Sequence, residues 1–248
     1  MTLSRTQTLI LFLGSLIALA GFAWPFSLPA TAVGSELGSG VVAVVAVMAL
    51  ATVILWTLDR GFLGPKQLAI LGGLAALASA TRIATAGVAG FELVFLFVIF
   101  GGFAFGPKFG FLLGALTIGL SSIFFGGFGP WTAFQLFAVG WVGLGAGLLG
   151  KLALSGWVRL VTLASYAAVS SYLFGLVMNL WFWPFAVGPE SSISYTAGAP
   201  ISENLASFAL YTLTTSTLTW DTVRAVALFV GILLLGKPVL AVLARAKL

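Results

Sequence analysis

The chain has 248 residues, 60% hydrophobic and 7% charged, with a mean hydropathy of +1.17 and a net charge of +5. So few charges cannot cover the surface of a water-soluble domain of this length, and the composition is that of an integral membrane protein. With no cysteine and no histidine, disulfides, the usual zinc and haem sites, thiol chemistry and Ser-His-Asp catalysis are excluded.

A bilayer core takes about 20 apolar residues per helix, and on that ruler the sequence predicts about eight transmembrane helices. The first covers residues 8–25; it ends at Trp24-Pro25 without a small-residue cleavage site, so it reads as a helix and not as a signal peptide. The second covers 41–56. The third, 66–80, is short and rich in alanine and glycine, and the fourth, 91–105, is also short. A turn at Gly106-Pro107 in "FGPKFG" separates it from the fifth, 109–125. The sixth, 131–149, follows the break "GGFGPWTAFQ", and the seventh, 157–184, is long enough to tilt. The last covers 220–236. Before it lies the one long polar stretch, 185–219, expected as an extracellular loop. Within that stretch, 185–200 is expected to be mobile and 203–216 to form a short interfacial helix that could lid a pocket.

The basic residues stand singly between apolar runs, which points to membrane topology and not to nucleic acid. With both termini in the cytoplasm, Arg5, Arg60, Lys66, Lys108, Lys151, Arg159, Lys237, Arg245 and Lys247 fall inside, and Arg82 and Arg224 outside. Nine against two is a strong positive-inside signal and assigns the chain to the cell membrane with that orientation. Among the acids, Asp59 falls inside, while Glu36, Glu92, Glu190, Glu203 and Asp221 fall outside.

The outer half therefore gathers the unusual chemistry: Arg82, Glu92, Trp131, Thr132, Gln135, Asn179, Trp181, Trp183, Asp221 and Arg224. Polar groups at such depth are costly unless paired or facing a cavity, so a ligand pocket open to the outside is expected. Arg82 and Glu92 bracket one short loop and either pair with each other or bind a ligand. Asp221 and Arg224 are three apart at a helix start, close enough to touch; Asp221 is equally explained as a helix-dipole partner. Tyr172, Asn179 and Trp183 follow i, i+7, i+11 on one helical stripe, where Asn179 serves either interhelical bonding or a ligand. Trp131 and Gln135, one turn apart, offer a stacking platform and an amide suited to a large organic ring. In the third span Gly72, Ala76 and Ala80 repeat every four residues, and such a strip lets another helix approach closely, from within the chain or from a partner.

These segments resemble the substrate-binding S components of energy-coupling factor (ECF) vitamin transporters. The matching stretches are "KQLAILGGLAALASATRI", "GFELVFLFVIFGGFAFGPKFGFLLGALTIGLSS", "GGFGPWTAFQLFAVGWVGLGAGLLG" and "TTSTLTWDTVRAVALF", which cover Lys66 to the end and six of the eight expected spans. The resemblance implies an all-α membrane protein with a six-helix core, residues 65–248, holding a vitamin near its extracellular face. To that core this chain adds an N-terminal two-helix hairpin, residues 1–64. The resemblance further implies a transmembrane T component and two ATPases as partners, with ATP use toppling the S component to release the vitamin inside. Gly72, Ala76 and Ala80 would be the docking strip, with Ala75 contributing. The S component is not itself an enzyme and needs no cofactor or metal; the sequence has no GxxxxGK[ST] phosphate loop. The "GPWTAFQ" turn looks most like cobalamin-associated members, whose corrin amides would pair with Gln135, Asn179 and Thr132. A self-sufficient secondary transporter would need a midspan carboxylate and often an inverted repeat, and neither is evident by eye.

Overall fold

The computed structural model describes residues 5–27, 64–86, 88, 90–188 and 191–247. They form α1 (Arg5–Phe22), α2 (Trp24–Ser27), α3 (Pro65–Ala84), α4 (Val94–Phe105), α5 (Pro107–Phe124), α6 (Pro130–Leu149), α7 (Gly156–Ala186), α8 (Ile201–Thr212) and α9 (Thr222–Lys247). A π-helical segment, Leu213–Asp221, joins α8 to α9. There is no strand among the described residues. The expected second span, 41–56, lies outside them, and with it the pairing of the N-terminal hairpin.

Five helical stretches among the described residues are long and apolar enough to cross a membrane: Pro65–Ala84, Pro107–Phe124, Trp131–Leu149, Gly156–Ala186 and Ile201–Ala246. Thr8–Phe22 and Val94–Phe105 are shorter apolar helices. Proline opens α3, α5 and α6, each time after a glycine. Proline suits the first helical position because its missing N–H would have no partner there and its φ is already helical. Gly106, at φ 100°, is the whole connection between α4 and α5, a backbone geometry that a side chain resists.

α4 is apolar on all sides and lies at the centre, packed by α3, α5, α6 and α9. Its Phe95, Val98 and Ile99 join Leu71, Leu113 and Leu163 in the main core. The tightest pairing is α5 on α6, backbone against backbone. A Cβ on Gly110 or Gly143 would collide with the other's carbonyl, and one on Gly114 with the carbonyl of Val139. Small residues allow this approach, in which dispersion replaces the hydrophobic drive that lipid removes. α1 packs on α6 and α7, where the Trp141 Nε1–H donates to Ser15 Oγ at 2.9 Å and Phe22 meets Phe134 edge to face at 4.8 Å.

The structure corrects the reading of the C-terminal third. Residues 203–216 fall in helix as expected, but no loop parts them from the last helix, because α8 passes through the π-helical segment into α9. One continuous helical rod runs over Ile201–Ala246. The hydroxyls of the threonine-rich link hold it together: Thr214 Oγ1 donates to the Leu210 carbonyl at 2.8 Å, Thr215 Oγ1 to that of Tyr211 at 2.7 Å, and Thr222 Oγ1 to that of Thr217 at 2.6 Å.

The segment expected to be mobile is tied down at several points. Trp183 Nε1–H donates to the Ile193 carbonyl at 2.6 Å. Asn204 accepts from the Thr196 N–H at 3.0 Å and donates to its carbonyl at 2.8 Å. Tyr195 O–H reaches the Pro25 carbonyl at 3.0 Å, and burial pushes this phenol's pKa up, keeping it a donor.

Candidate functional site

Two arginines organise the polar end of the bundle, and they differ in what neutralises them. Arg224, 4% exposed near the start of α9, donates from Nε to Glu92 Oε2 at 3.0 Å. Its Nη1 donates to Asp221 Oδ1 at 2.9 Å and to the Ser171 carbonyl at 3.2 Å. Asp221, 1% exposed, accepts a further bond from Ser216 Oγ at 2.8 Å. The guanidinium also lies over the rings of Phe174 (5.0 Å) and Phe95 (5.6 Å). Two carboxylates thus face one cation through charge-assisted bonds that fix the junction of α4, α7 and α9. Gly175 on α7 leaves the room: a Cβ there would collide with the Asp221 carboxylate.

The Asp221–Arg224 contact expected from spacing is present. The Arg82–Glu92 pair is not. α3 runs on to Ala84, so Arg82 lies in its last turn and is turned towards α5 and α6. The following loop passes close to the π-helical segment, where Gly90, at φ 71°, leaves no space for a Cβ beside the Trp220 carbonyl. That approach delivers Glu92 to Arg224.

Arg82 donates from Nη1 to Ser121 Oγ at 2.8 Å and from Nη2 to Gln135 Oε1 at 3.4 Å, with Cζ 5.9 Å from the Phe125 ring centroid. Ser121 in turn donates to the Ile118 carbonyl at 3.1 Å. Sequence reasoning missed Ser121; its one signal was the polar "SS" near the end of an apolar helix.

The break "GGFGPWTAFQ" is a helix entry. Thr132, buried, accepts the Gly129 N–H at 2.9 Å through Oγ1. The Trp131 ring folds back over Gly129 and packs with the aromatic cluster of Phe22, Trp24, Phe134 and Trp181. Gln135 is turned to Arg82 instead, so the two do not share one surface. On α7 the expected stripe divides three ways. Tyr172, 39% exposed, shares a 3.1 Å hydrogen bond with Thr222. The Asn179 Nδ2 is buried without a hydrogen-bond partner. Trp183, fully buried with Val187 and Ile193 packed on its cluster, meets Tyr195 and Phe208.

On α3, Gly72, Ala76 and Ala80 are exposed, whereas Ala75 is fully buried in the core on the opposite face. Among the described residues, nothing lies within 4 Å of a Cβ placed on Gly72 or Gly73. Only 22% of the α3 membrane window is buried inside the protein, against 72% for α5.

Among the described residues, three of the bundle's cavities are largely apolar. One of about 660 Å³ lies between α4 and α9, lined by Phe91, Leu96, Val226, Val230 and Leu234 among others. A second, about 320 Å³, is lined by Leu74, Phe97, Phe100 and Val239, and a third, about 240 Å³, by Leu19, Trp141, Tyr166 and Phe174. Neither Arg82, Gln135, Asn179 nor Arg224 lines any of these three.

No protein-family model, curated protein or solved structure matches the chain.

Proposed function

We propose that the chain is the substrate-binding S component of an ECF-type vitamin importer in the cell membrane. It captures its substrate at the outer face and works with a transmembrane T component and two ATPases. The observation that carries this reading is the uncovered face of α3. A membrane helix of 20 residues that leaves Gly72, Gly73, Ala76 and Ala80 open offers a close-approach surface with nothing of its own chain on it among the described residues. Two further features support it. The helical bodies described from Pro65 onward number six, as in the resemblance. Charged and amide side chains gather at the end of the bundle that the charge distribution puts outside. The resemblance of "GPWTAFQ" makes cobalamin or a related corrinoid the favoured vitamin, with another vitamin as the alternative. A self-sufficient secondary transporter has less support: Asp221, the buried carboxylate it would use, is engaged by Arg224 and Ser216.

The test is Ala76→Trp, which fills the open strip without touching the polar end. Vitamin binding by the isolated chain should be retained, and ATP-dependent uptake by cells carrying the T component and ATPases should be lost. Uptake at the unsubstituted rate would refute the docking role of α3.

A further inference from the structure

We infer that the ligand of the polar end is anionic, and that its carboxylate or phosphate group is received by Arg82 between Ser121 and Gln135. This rests on the binding role proposed above and names the chemical class of what is bound. The contrast between the two arginines carries it. Both ion pairs found among the described residues belong to Arg224, which already faces two carboxylates. Arg82 sits in the last turn of a membrane helix, partly buried, and its partners are a hydroxyl, an amide oxygen and a ring. These are neutral groups: no carboxylate lies within ion-pairing distance of Arg82 among the described residues, and Glu92, bonded to Arg224, acts on it only from further off. A cation held in that way, partly removed from water and next to hydrocarbon, attracts an anion far more strongly than an exposed one.

The donors around it are arranged for the same purpose. Guanidinium carries five N–H groups in a planar fork. Ser121 and Gln135 accept from Nη1 and Nη2, which leaves the remaining N–H groups of the fork for a ligand. Because Gln135 accepts through Oε1, its amide N–H groups face away from Arg82, and none makes a hydrogen bond among the described residues. Arg82 and Gln135 together present donors and no free acceptor, the pattern that suits a carboxylate or phosphate and disfavours a neutral amide. The glycine-rich entry to α6 flanks this point, with Gly126 and Gly127 at φ 80° and 65° and open space about both. A vitamin and an anionic lipid headgroup would bring the same group to this position.

The experiment titrates the purified chain in neutral detergent with matched ligands differing in one anionic group, followed by thermal shift and native mass. The pairs are biotin and biotinamide, and riboflavin 5′-phosphate and riboflavin. A parallel arm compares nanodiscs of phosphatidylcholine with nanodiscs containing phosphatidylglycerol, and separates a lipid source from a soluble one. The anionic member of at least one comparison should bind roughly tenfold or more tightly. That preference should vanish in Arg82→Gln. It should also vanish in Gln135→Glu, which supplies Arg82 with a carboxylate of its own and should raise the melting midpoint, so that loss of binding is not mistaken for unfolding. Neutral members binding as well as anionic ones, a preference surviving both substitutions, or no response to any anion including phosphatidylglycerol would each overturn the inference. Failure of the S-component reading is seen separately, in ATP-dependent uptake.

Discussion

Arg224 and Arg82 invite opposite experiments. Asp221 is buried and holds Arg224 by a 2.9 Å bond, so Asp221→Ala strands a buried cation and should cost about 3–5 kcal/mol. Glu92, whose side chain is 37% exposed, is screened by water, and Glu92→Ala should cost no more than about 1 kcal/mol. Denaturant titration in detergent separates the two; equal losses would mean that Asp221 is not the principal partner. The i, i+3 spacing made the Asp221–Arg224 contact legible in the sequence because a helix fixes that distance. Whether Glu92 pairs with Arg82 stayed open in the sequence because a loop fixes nothing of the kind, and the deciding contact of Gly90 with the Trp220 backbone crosses 130 positions of sequence. Thr132 was recognised as polar and near a turn, but a hydroxyl there serves the helix entry as readily as a ligand, and the structure uses it for the former.

At the level of elements, one sequence pattern meets two fates. Small residues at fourfold spacing mark α3, where they are open, and also α5 and α6, where they are closed on each other. Spacing predicts that a helix can be approached closely; it does not say by what. The two cases are separable by mutation. Gly143→Leu forces α6 off α5 and should cost about 1–3 kcal/mol or more. At Gly72 an added Cβ meets nothing within 4 Å among the described residues, and Gly72→Leu should leave the stability of the isolated chain within about 0.5 kcal/mol. A large loss in Gly72→Leu would mean that the α3 face is covered within the chain. The α8–α9 rod shows the other limit of pattern reading. "LTTSTLTWD" looks like a linker by polarity, yet its hydroxyls bond back to preceding carbonyls and carry the helix through a nine-residue π segment. π-Helical insertions are rare and occur frequently at functional sites. Here the insertion ends on Asp221.

For the molecule as a whole, composition alone established helices suited to a membrane, because hydrocarbon leaves few other ways to satisfy a backbone. Helix boundaries were legible wherever a glycine-proline pair opened a helix. The grouping of polar residues at one end was legible too, but its division into an ion-paired cluster at Arg224 and an Arg82 that makes no ion pair among the described residues was not. Length now constrains how the rod sits. Lys237 falls on the inner side, and about 20 residues counted back from it, about 30 Å at 1.5 Å per residue, reach into the π-helical segment Leu213–Asp221. α8 must then project beyond the lipid. In this cysteine-free chain, Ile201→Cys should react rapidly with a membrane-impermeant maleimide, and Leu234→Cys, on α9, should not. Equal reactivity would place the rod differently.

A projecting α8 has a consequence for how the protein can be handled. It forms one stiff body with the helix that carries Arg224, and through Asn204, Thr196 and Tyr195 it is stitched to Pro25 of the N-terminal region. An antibody fragment gripping Ile201–Thr212 from the water side would therefore hold a lever that runs on through the bilayer. Such a reagent would report, or arrest, any tilting of the bundle without ever entering the membrane.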